Sequence, residues 1–532
     1  MTTKLGRIVA VAGAGVTVSL QPDEHGASAA QMQALVRVEA ARSVVFATVR
    51  ELRVDTRSAG DTQMAELELI GEQARTPDGG LHPFQRGVVH FPALGDAVHE
   101  AAAEDWRRVY MPDTGAKQMR LGDLDRDGNL PAIVLSDELL SKHFAILGTT
   151  GSGKSCSVAV LLRQLLDGHP NGHVILLDPH NEYQAAFGDK CVLVNPQSMS
   201  LPYWLLNMEE MVELYCSPEE AQRELERDIL KRAVMAAKQA FHGSEQTHIT
   251  VDTPVPFRLT TVLQHIDRAM GQINKGSDSL PFLRLKARIE TLRSDSRFAF
   301  MFGQISVQDT MADILSRVLR IPVAGKPITI VDLSAVPVEI VDAVVSLLSR
   351  MIFDFAVWGG PQAEVPILLV CEEAHRYIPN DPDGGFQPTL KALSRIAKEG
   401  RKYGISLGLV TQRPSELSET ILSQCGTLFA LRMSNDRDQA FVQRALPDGA
   451  RGLFAALPAL SNREAVVVGE ATAVPMRMRF AELPADARPR AGQANFAAAW
   501  QKDDPGREVL DGVITRWRRQ ERSAGPPRAA AE

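Results

Sequence analysis

Two adjacent carboxylates, Glu372 and Glu373, close the apolar run Ile367-Leu368-Leu369-Val370-Cys371. Far upstream, Gly148-Thr149-Thr150-Gly151-Ser152-Gly153-Lys154-Ser155 satisfies the spacing G-x-x-x-x-G-K-[ST]. Together these residue types suit hydrolysis of a nucleotide triphosphate, with ATP and Mg²⁺ as the expected ligands. Glycines let backbone N–H groups close round phosphate oxygens, the Lys154 ammonium reaches the outer phosphates, and the Ser155 hydroxyl is a ligand for Mg²⁺. Glu372 is the candidate to support the metal, and Glu373 the candidate to orient and polarise the attacking water. Glu is one methylene longer than the Asp usual at the first position, which weakens the case for direct ligation by Glu372.

A third apolar run, Ser406 to Val410, ends in Thr411-Gln412-Arg413-Pro414. Gln412 either contacts the γ-phosphate or lytic water, and so reports nucleotide state, or belongs to a simple helix-entry turn set by Pro414. Between the second and third runs lie Lys391, Arg395, Lys398, Arg401 and Lys402. Their spacing puts several cations along one broad helix side. Such a patch suits a phosphate across a subunit boundary, a DNA backbone, or a solvated face. Arg401 is the preferred nucleotide-sensing and catalytic cation. Lys142, Arg432 and Lys398 are further candidates for a trans-acting or DNA contact.

These groups need a frame. Phe144 to Leu147 predicts a strand feeding the phosphate loop, and the small, apolar segment after it predicts a helix from Ser155 to about Leu166. A strand from His173 to Leu177 ends at Asp178. Asp178, His180, Asn181 and Glu182 either face nucleotide or a neighbouring subunit, or cap and pack their own loop. Further strands at Ile328–Leu333, Pro366–Val370, Ile405–Val410 and Thr427–Leu431 alternate with helices near Glu339–Val357, Gln387–Lys402, Glu416–Leu422 and Arg437–Ala445. That alternation predicts an α/β fold, a mostly parallel sheet with helices on both faces. A late β pair, Glu464–Val468 and Val474–Phe480, follows.

Residues 209–320 interrupt the alternation with helical patterns, and Arg284, Lys286, Arg288 and Arg293 there either approach DNA or line a solvated face. Before the core, short strands with glycine turns predict a small β-barrel. Asp125 to Asn129 resembles a calcium loop but lacks its full spacing and closing Glu, so it reads as a solvated turn. After Leu483 the composition becomes that of a linker, followed by a short helix, Glu508–Arg522, with Val509, Leu510, Val513 and Trp517 apolar.

The chain has 532 residues, too many for one ordinary core, and a formal net charge of −7. It is no generally basic nucleic-acid coat, so a DNA-binding surface must be local or built by joining subunits. The five cysteines are scattered without C-x-x-C spacing, which points away from a zinc site or disulfide framework and towards a cytoplasmic setting. No apolar run reaches the ~18 residues of a membrane span.

The segments Lys142 to Ser155, Leu177-Asp178-Pro179-His180-Asn181-Glu182-Tyr183, Cys371 to Pro379, and Ala397-Lys398-Glu399-Gly400-Arg401-Lys402-Tyr403-Gly404 with Thr411 to Pro414 resemble the HerA-type ATPases of the HerA/FtsK group. Gly6-Arg7-Ile8-Val9 with Gly13 to Leu20 is similar to that family's N-terminal barrel. The resemblance implies a RecA-like P-loop core with a helical insertion, a preceding barrel and a brace-like C-terminal segment. The expected division is 1–108 barrel, 109–140 linker and a lead-in strand, 141–208 first part of the core, 209–320 insertion, 321–482 second part of the core and late β pair, and 483–532 linker and C-terminal helical segment. It also implies a homohexameric ring round double-stranded DNA, ATP between subunits, and a nuclease or NADase effector partner in DNA-end processing or antiphage defence. One alternative is an ATP-binding scaffold that organises a defence effector without processive translocation. Another, a membrane-tethered DNA pump, lacks a spanning segment.

Overall fold

The computed structural model describes residues 3–21, 30–55, 62–111, 117–124, 130–242, 248–272, 279–303, 307–360, 365–381, 384–444, 451–490, 500–501 and 506–519. The turn at 125–129 lies outside these. Near the N-terminus, inward and outward residues alternate: Val16, Val18 and Leu20 are buried while Thr17 and Ser19 are only partly covered. This period of two makes strands with one apolar face. They are β1 (Lys4–Ala12), β2 (Gly15–Leu20), β3 (Leu35–Glu39), β4 (Ser43–Asp55), β5 (Thr62–Ala74), β6 (Gln85–Arg86) and β7 (Ala97–Glu100). Their order is β2-β1-β7-β3-β4-β5-β6, and a β2–β5 pairing closes the sheet into a barrel. Closure removes the exposed strand edges that invite aggregation. Leu5, Ile8, Val18, Val38, Val45 and Val98 fill the interior.

A helix with no counterpart in the sequence reading, α1 (Ala103–Tyr110), follows the barrel. Its Val109 packs with Leu35, Val44, Phe46 and Val474. Next come β8 (Gln118–Leu124) and β9 (Pro131–Leu135), an antiparallel pair. Sequence reading anticipates only the second of these. In β8, Met119 and Leu121 are buried between exposed Gln118 and Arg120, a weak alternating signal in a short stretch. The first core strand is β10 (His143–Leu147), buried at every position.

In chain order the next three strands, β11 (His173–Asp178), β12 (Cys191–Val194) and β13 (Ile328–Asp332), belong to a second compact unit. The first unit resumes with β14 (Ile367–Cys371), β15 (Ile405–Thr411), β16 (Cys425–Leu431), β17 (Glu464–Gly469) and β18 (Met476–Phe480). Within it the strands run β14-β15-β10-β16-β17-β18-β8-β9. The β14–β15, β15–β10 and β10–β16 pairings are parallel, and those from β16 onward are antiparallel. Parallel strands buried on both faces read as continuous apolar runs, which is why these were legible as strands. The fold is an N-terminal β-barrel, a RecA-like α/β core with a helical insertion, and a C-terminal helix.

In the second unit β13 lies between β12 and β11, all parallel. Its insertion includes α2 (Met208–Tyr215), α3 (Glu220–His242), α4 (Leu259–Gly271) and α5 (Leu280–Ser294). The α2 start carries a capping box, with Asn207 and Glu210 exchanging hydrogen bonds. The buried Glu210 carboxylate also receives Ser346 at 2.8 Å and Arg350 at 3.0 Å. Three of the four cations of α5 are engaged locally: Arg284 with Gln222, Lys286 with Asp267 and Arg288 with the Cys216 carbonyl. These contacts hold helices of the insertion together. The terminal helix, α6 (Arg507–Arg519), leaves Val509, Leu510, Val513 and Trp517 exposed. Among the described residues, no helix is long and apolar enough to cross a membrane.

Glu464, at the start of β17, fastens the turn before that strand. It accepts hydrogen bonds from the Ser461 N–H at 2.9 Å, from Arg477 at 2.8 Å and from Arg479. Burial opposes its ionisation, but these donors outweigh burial and hold its pKa down to about 2. A carboxylate whose pKa is lower folded than unfolded adds stability above the unfolded value, and that stability is lost as pH falls through the folded one. Glu464→Gln should therefore lower the melting temperature at pH 7. The gap from wild type should close between pH ~4.5 and ~2; a gap independent of pH would contradict this account.

Candidate nucleotide site

The phosphate loop joins β10 to a helix over Lys154–Gly168, here the nucleotide-site helix. Its start is gripped by neighbouring strand ends. Gly148 N–H donates to the Thr411 carbonyl at 3.3 Å, and Thr149 donates both its N–H and its hydroxyl to the Arg432 carbonyl at 3.0 Å. Ser152 closes the turn on the Thr149 carbonyl, and its own carbonyl accepts the Arg463 N–H at 3.0 Å. Gly151 and Gly153 take positive φ, +77° and +97°. At Gly153 a Cβ would also stand 2.6 Å from Asn462 Oδ1. The loop thus needs glycine there for both conformation and space.

The helix then presents its N-terminus and Lys154. The side chain of Lys154 is buried, although Lys rarely is, and Ser155 is half-buried beside it. A helix N-terminus carries about half a positive charge and free N–H groups, which suits phosphate. Buried Val158 to Leu162 anchor the helix against the sheet.

The register places the other candidates on this same edge. Leu147 is level with Thr411 of β15, and Leu409 of β15 is level with Cys371 of β14. Glu372 and Glu373 therefore follow β14 beside the strand end that carries Gln412. Both acids are nearly buried. Glu373 has left-handed backbone, φ +52°, which costs a non-glycine residue roughly 1–2 kcal/mol. Strain of this kind persists where surrounding structure holds it, commonly at functional sites. Gln412 accepts a hydrogen bond from the Thr150 hydroxyl of the phosphate loop. Arg432, just past β16, is on this edge too, and its carbonyl holds Thr149.

Lys142, Lys398 and Arg401 are not brought to this edge. Lys142 precedes β10 and Gly148 follows it, so six residue steps separate them, about 20 Å at ~3.3 Å per residue. It lies in an open cleft of about 510 Å³ with Arg86, Lys398, Arg401, Gln424 and Glu470. There Lys142 pairs with both carboxylate oxygens of Glu470. Its stem crosses Gly426, where a Cβ would meet it at 2.9 Å. Buried His143 ties this cleft to the strand: Nε2–H donates to the Ala397 carbonyl at 2.9 Å, and Nδ1 accepts the Leu407 N–H at 3.0 Å. Burial holds the His143 pKa below the usual range, and the nearby Arg401 charge adds to this. The ring is therefore neutral and its tautomer is set by its two partners.

Asp178 closes its own loop, accepting the His180 N–H at 3.2 Å and the Tyr183 N–H at 3.1 Å. Burial raises its pKa to about 6, with the Asp332 charge adding to the shift. Two residues near the phosphate loop were not signalled by sequence. Arg463 has left-handed backbone and braces Ser152 across the fold. His375 stands against Glu373, at 3.3 Å; its place two residues after the acid pair was the available hint.

A phosphate loop between strands, followed by a helix and flanked by paired acids, defines a P-loop ATPase, an ATP-hydrolysing enzyme. Residues 119–352 match the family model described as Helicase HerA, central domain. A DNA double-strand break repair helicase HerA of Pyrococcus furiosus is 28% identical over 473 residues, covering 81% of this chain and 78% of its own. A protein of the same description from Saccharolobus solfataricus is 28% identical over 397 residues, 72% of each chain. The solved structure of VirB4 of Thermoanaerobacter pseudethanolicus has TM-score 0.48 and 17% identity, covering 70% of this chain and 98% of that one. Over these lengths the chain is similar to helicases of the HerA/FtsK group of P-loop ATPases.

Replacing Gly153 with Ala should cut nucleotide affinity at least ~10-fold, because both the backbone strain and the Asn462 contact must be relieved by moving the loop. Gly168→Ala meets no atom within 4 Å and serves as the control. Equal nucleotide affinity of the two variants, by titration with a fluorescent ATP analogue, would contradict this reading of the loop.

Proposed function

We propose that this ATPase moves double-stranded DNA as a translocase or helicase, working in the cytoplasm as a homo-oligomeric, hexameric ring. The observation that carries this reading is the separation of two half-sites along one strand. The phosphate loop follows the end of β10, and the cleft with Lys142, Lys398 and Arg401 stands at its start. A head-to-tail assembly sets one copy's second patch against the next copy's first, and closes into a ring when the rotation permits. Arg401 then acts in trans on a neighbour's nucleotide, with Lys142 beside it. Lys142 is a point charge rather than a bidentate fork, so Arg401 is the better trans-acting group.

Mg²⁺ fits the residues present. The Ser155 hydroxyl and the Glu372 carboxylate, directly or through water, suit a cation that is usually held by one or two protein oxygens and substrate phosphates. When bound, Mg²⁺ neutralises charge on the phosphates. Lys154 and the loop N–H groups hold the triphosphate. Glu373 takes up the proton of the attacking water, and Gln412 senses the γ-phosphate through its link to Thr150. Relatives described as DNA double-strand break repair helicases support duplex DNA as the cargo. The same description supports a role at DNA double-strand breaks; DNA-end processing with a nuclease or other effector, or its antiphage equivalent, completes the proposal.

The test is ATP turnover at defined oligomeric state, with and without long double-stranded DNA. DNA should stimulate the wild type, and Glu373→Gln should lower kcat ~10²–10⁴-fold while nucleotide still binds. Stable rings with no DNA response would sink the motor in favour of a partner-activated scaffold.

Mixing two inactive variants tests the trans arrangement. In random co-assemblies of Arg401→Ala with Glu373→Gln, about one interface in four joins an intact Arg401 to an intact Glu373. Activity should reappear on mixing; none would appear if Arg401 served its own chain.

A further inference from the structure

His375 takes no part in the mechanism above, yet it touches the base and the sensor strand at once. It lies in a tight turn fixed by its backbone: Arg376 N–H donates to the Glu373 carbonyl at 2.9 Å, and Ile378 N–H to the Ala374 carbonyl at 2.9 Å. The imidazole side chain is only 12% exposed. Its Nδ1 stands 2.9 Å from Thr411 Oγ1 and 3.3 Å from Glu373 Oε2. Thr411 Oγ1 also accepts the Arg413 N–H at 3.0 Å.

Hydrogen-bond chemistry narrows the arrangement. An ionised carboxylate only accepts, so an Nδ1 facing Glu373 must carry the hydrogen. The same N–H is within reach of the Thr411 hydroxyl, whose oxygen has capacity for two acceptor bonds. In this structure that N–H is in hydrogen-bond contact with Thr411, while Glu373 Oε2 stands 3.3 Å from the same nitrogen at ion-pair distance, so the two acceptors compete for one donor. Thr411 is followed directly by Gln412, which is linked to Thr150 in the phosphate loop.

We propose that His375 is a positioning residue that shares one N–H between the Glu373 carboxylate and the Thr411 hydroxyl. It thereby ties the orientation of the base to the strand end that carries Gln412. The inference rests on the reading of Glu373 as the base. When Glu373 turns towards the attacking water, the His375 N–H passes to Thr411. When Gln412 and Thr411 shift with nucleotide state, the N–H is drawn from or returned to Glu373. His375 touches no reacting atom; it decides how long Glu373 holds its working orientation.

Steady-state turnover and fluorescent-ATP-analogue affinity of the assembled full-length protein test this, using His375→Ala, His375→Asn, Thr411→Val, the His375→Ala/Thr411→Val double variant and Glu373→Gln. His375→Ala should lower kcat ~10–100-fold, the scale of a misaligned catalytic group, with KM and nucleotide affinity within about threefold. His375→Asn, whose amide can place an N–H near the Nδ1 position, should recover much of that loss. The double variant should be no worse than His375→Ala alone, since both changes break one linkage. Retention of kcat within about twofold in His375→Ala overturns the proposal, as do additive losses in the double variant or parallel loss of affinity without rescue by Asn. If Glu373→Gln itself keeps wild-type turnover, the assignment of the base fails and the inference falls with it. If Glu373→Gln is inactive while His375→Ala is not, only the role of His375 fails. Should His375→Ala not fold, His375→Asn and Thr411→Val still decide, because Thr411→Val must then lower kcat at unchanged affinity.

Discussion

The phosphate loop is a backbone structure held by other backbone. Carbonyls at the ends of β15 and β16 receive the N–H groups of Gly148 and Thr149, and the Arg463 N–H donates to the Ser152 carbonyl. Two glycines in left-handed conformation make that path possible. The consequence is that the loop cannot move independently of three neighbours. Any shift in the strand end at Thr411–Gln412 reaches the phosphate cradle directly, and any change at the phosphates reaches Gln412. A site built from side chains alone would lack this stiffness, because each rotamer could relax separately.

The same strand that feeds the loop also separates it from the second cationic site. β10 has only five residues, all buried, with the loop at one end and Lys142 at the other. His143 anchors the far end through two backbone partners. A net charge of −7 is no obstacle to handling an anionic ligand here, because the cations are gathered in one cleft. Within it Glu470 already neutralises Lys142. Arg401 and Lys398 stay exposed on the segment that follows.

Buried polar groups act as fasteners elsewhere. In the second unit Glu210 joins the α2 cap to Arg350 and Ser346. Lys238, fully buried, donates to the Val251 and Thr253 carbonyls at 2.7 Å, and burial lowers its pKa to about 8. Removing one partner from such a buried charged set typically costs ~3–5 kcal/mol, since the other charge remains without compensation. In the first unit Glu464 does comparable work for the turn that leads Arg463 to the phosphate loop.

Contiguous chemistry was legible from sequence alone. The phosphate loop and the strand ending in Glu372-Glu373 are local patterns, each contained in about a dozen residues. The alternation of buried strands and helices follows from apolar runs that need no partner to be recognised. The barrel was legible as a set of short strands, but not its closure by β2 and β5, which depends on residues some fifty positions apart. Strand β8 and helix α1 carry weak periodicity and owe their form to packing on the late β pair and the barrel. Only tertiary structure decided which cations share an edge with the phosphates. Direction along a parallel strand sends Arg432 to the loop and Lys142 with Arg401 to the opposite end, and residue type carries no trace of that. Likewise Arg463 and Thr411 reach Ser152 and His375 across hundreds and tens of positions, through strand register rather than sequence spacing.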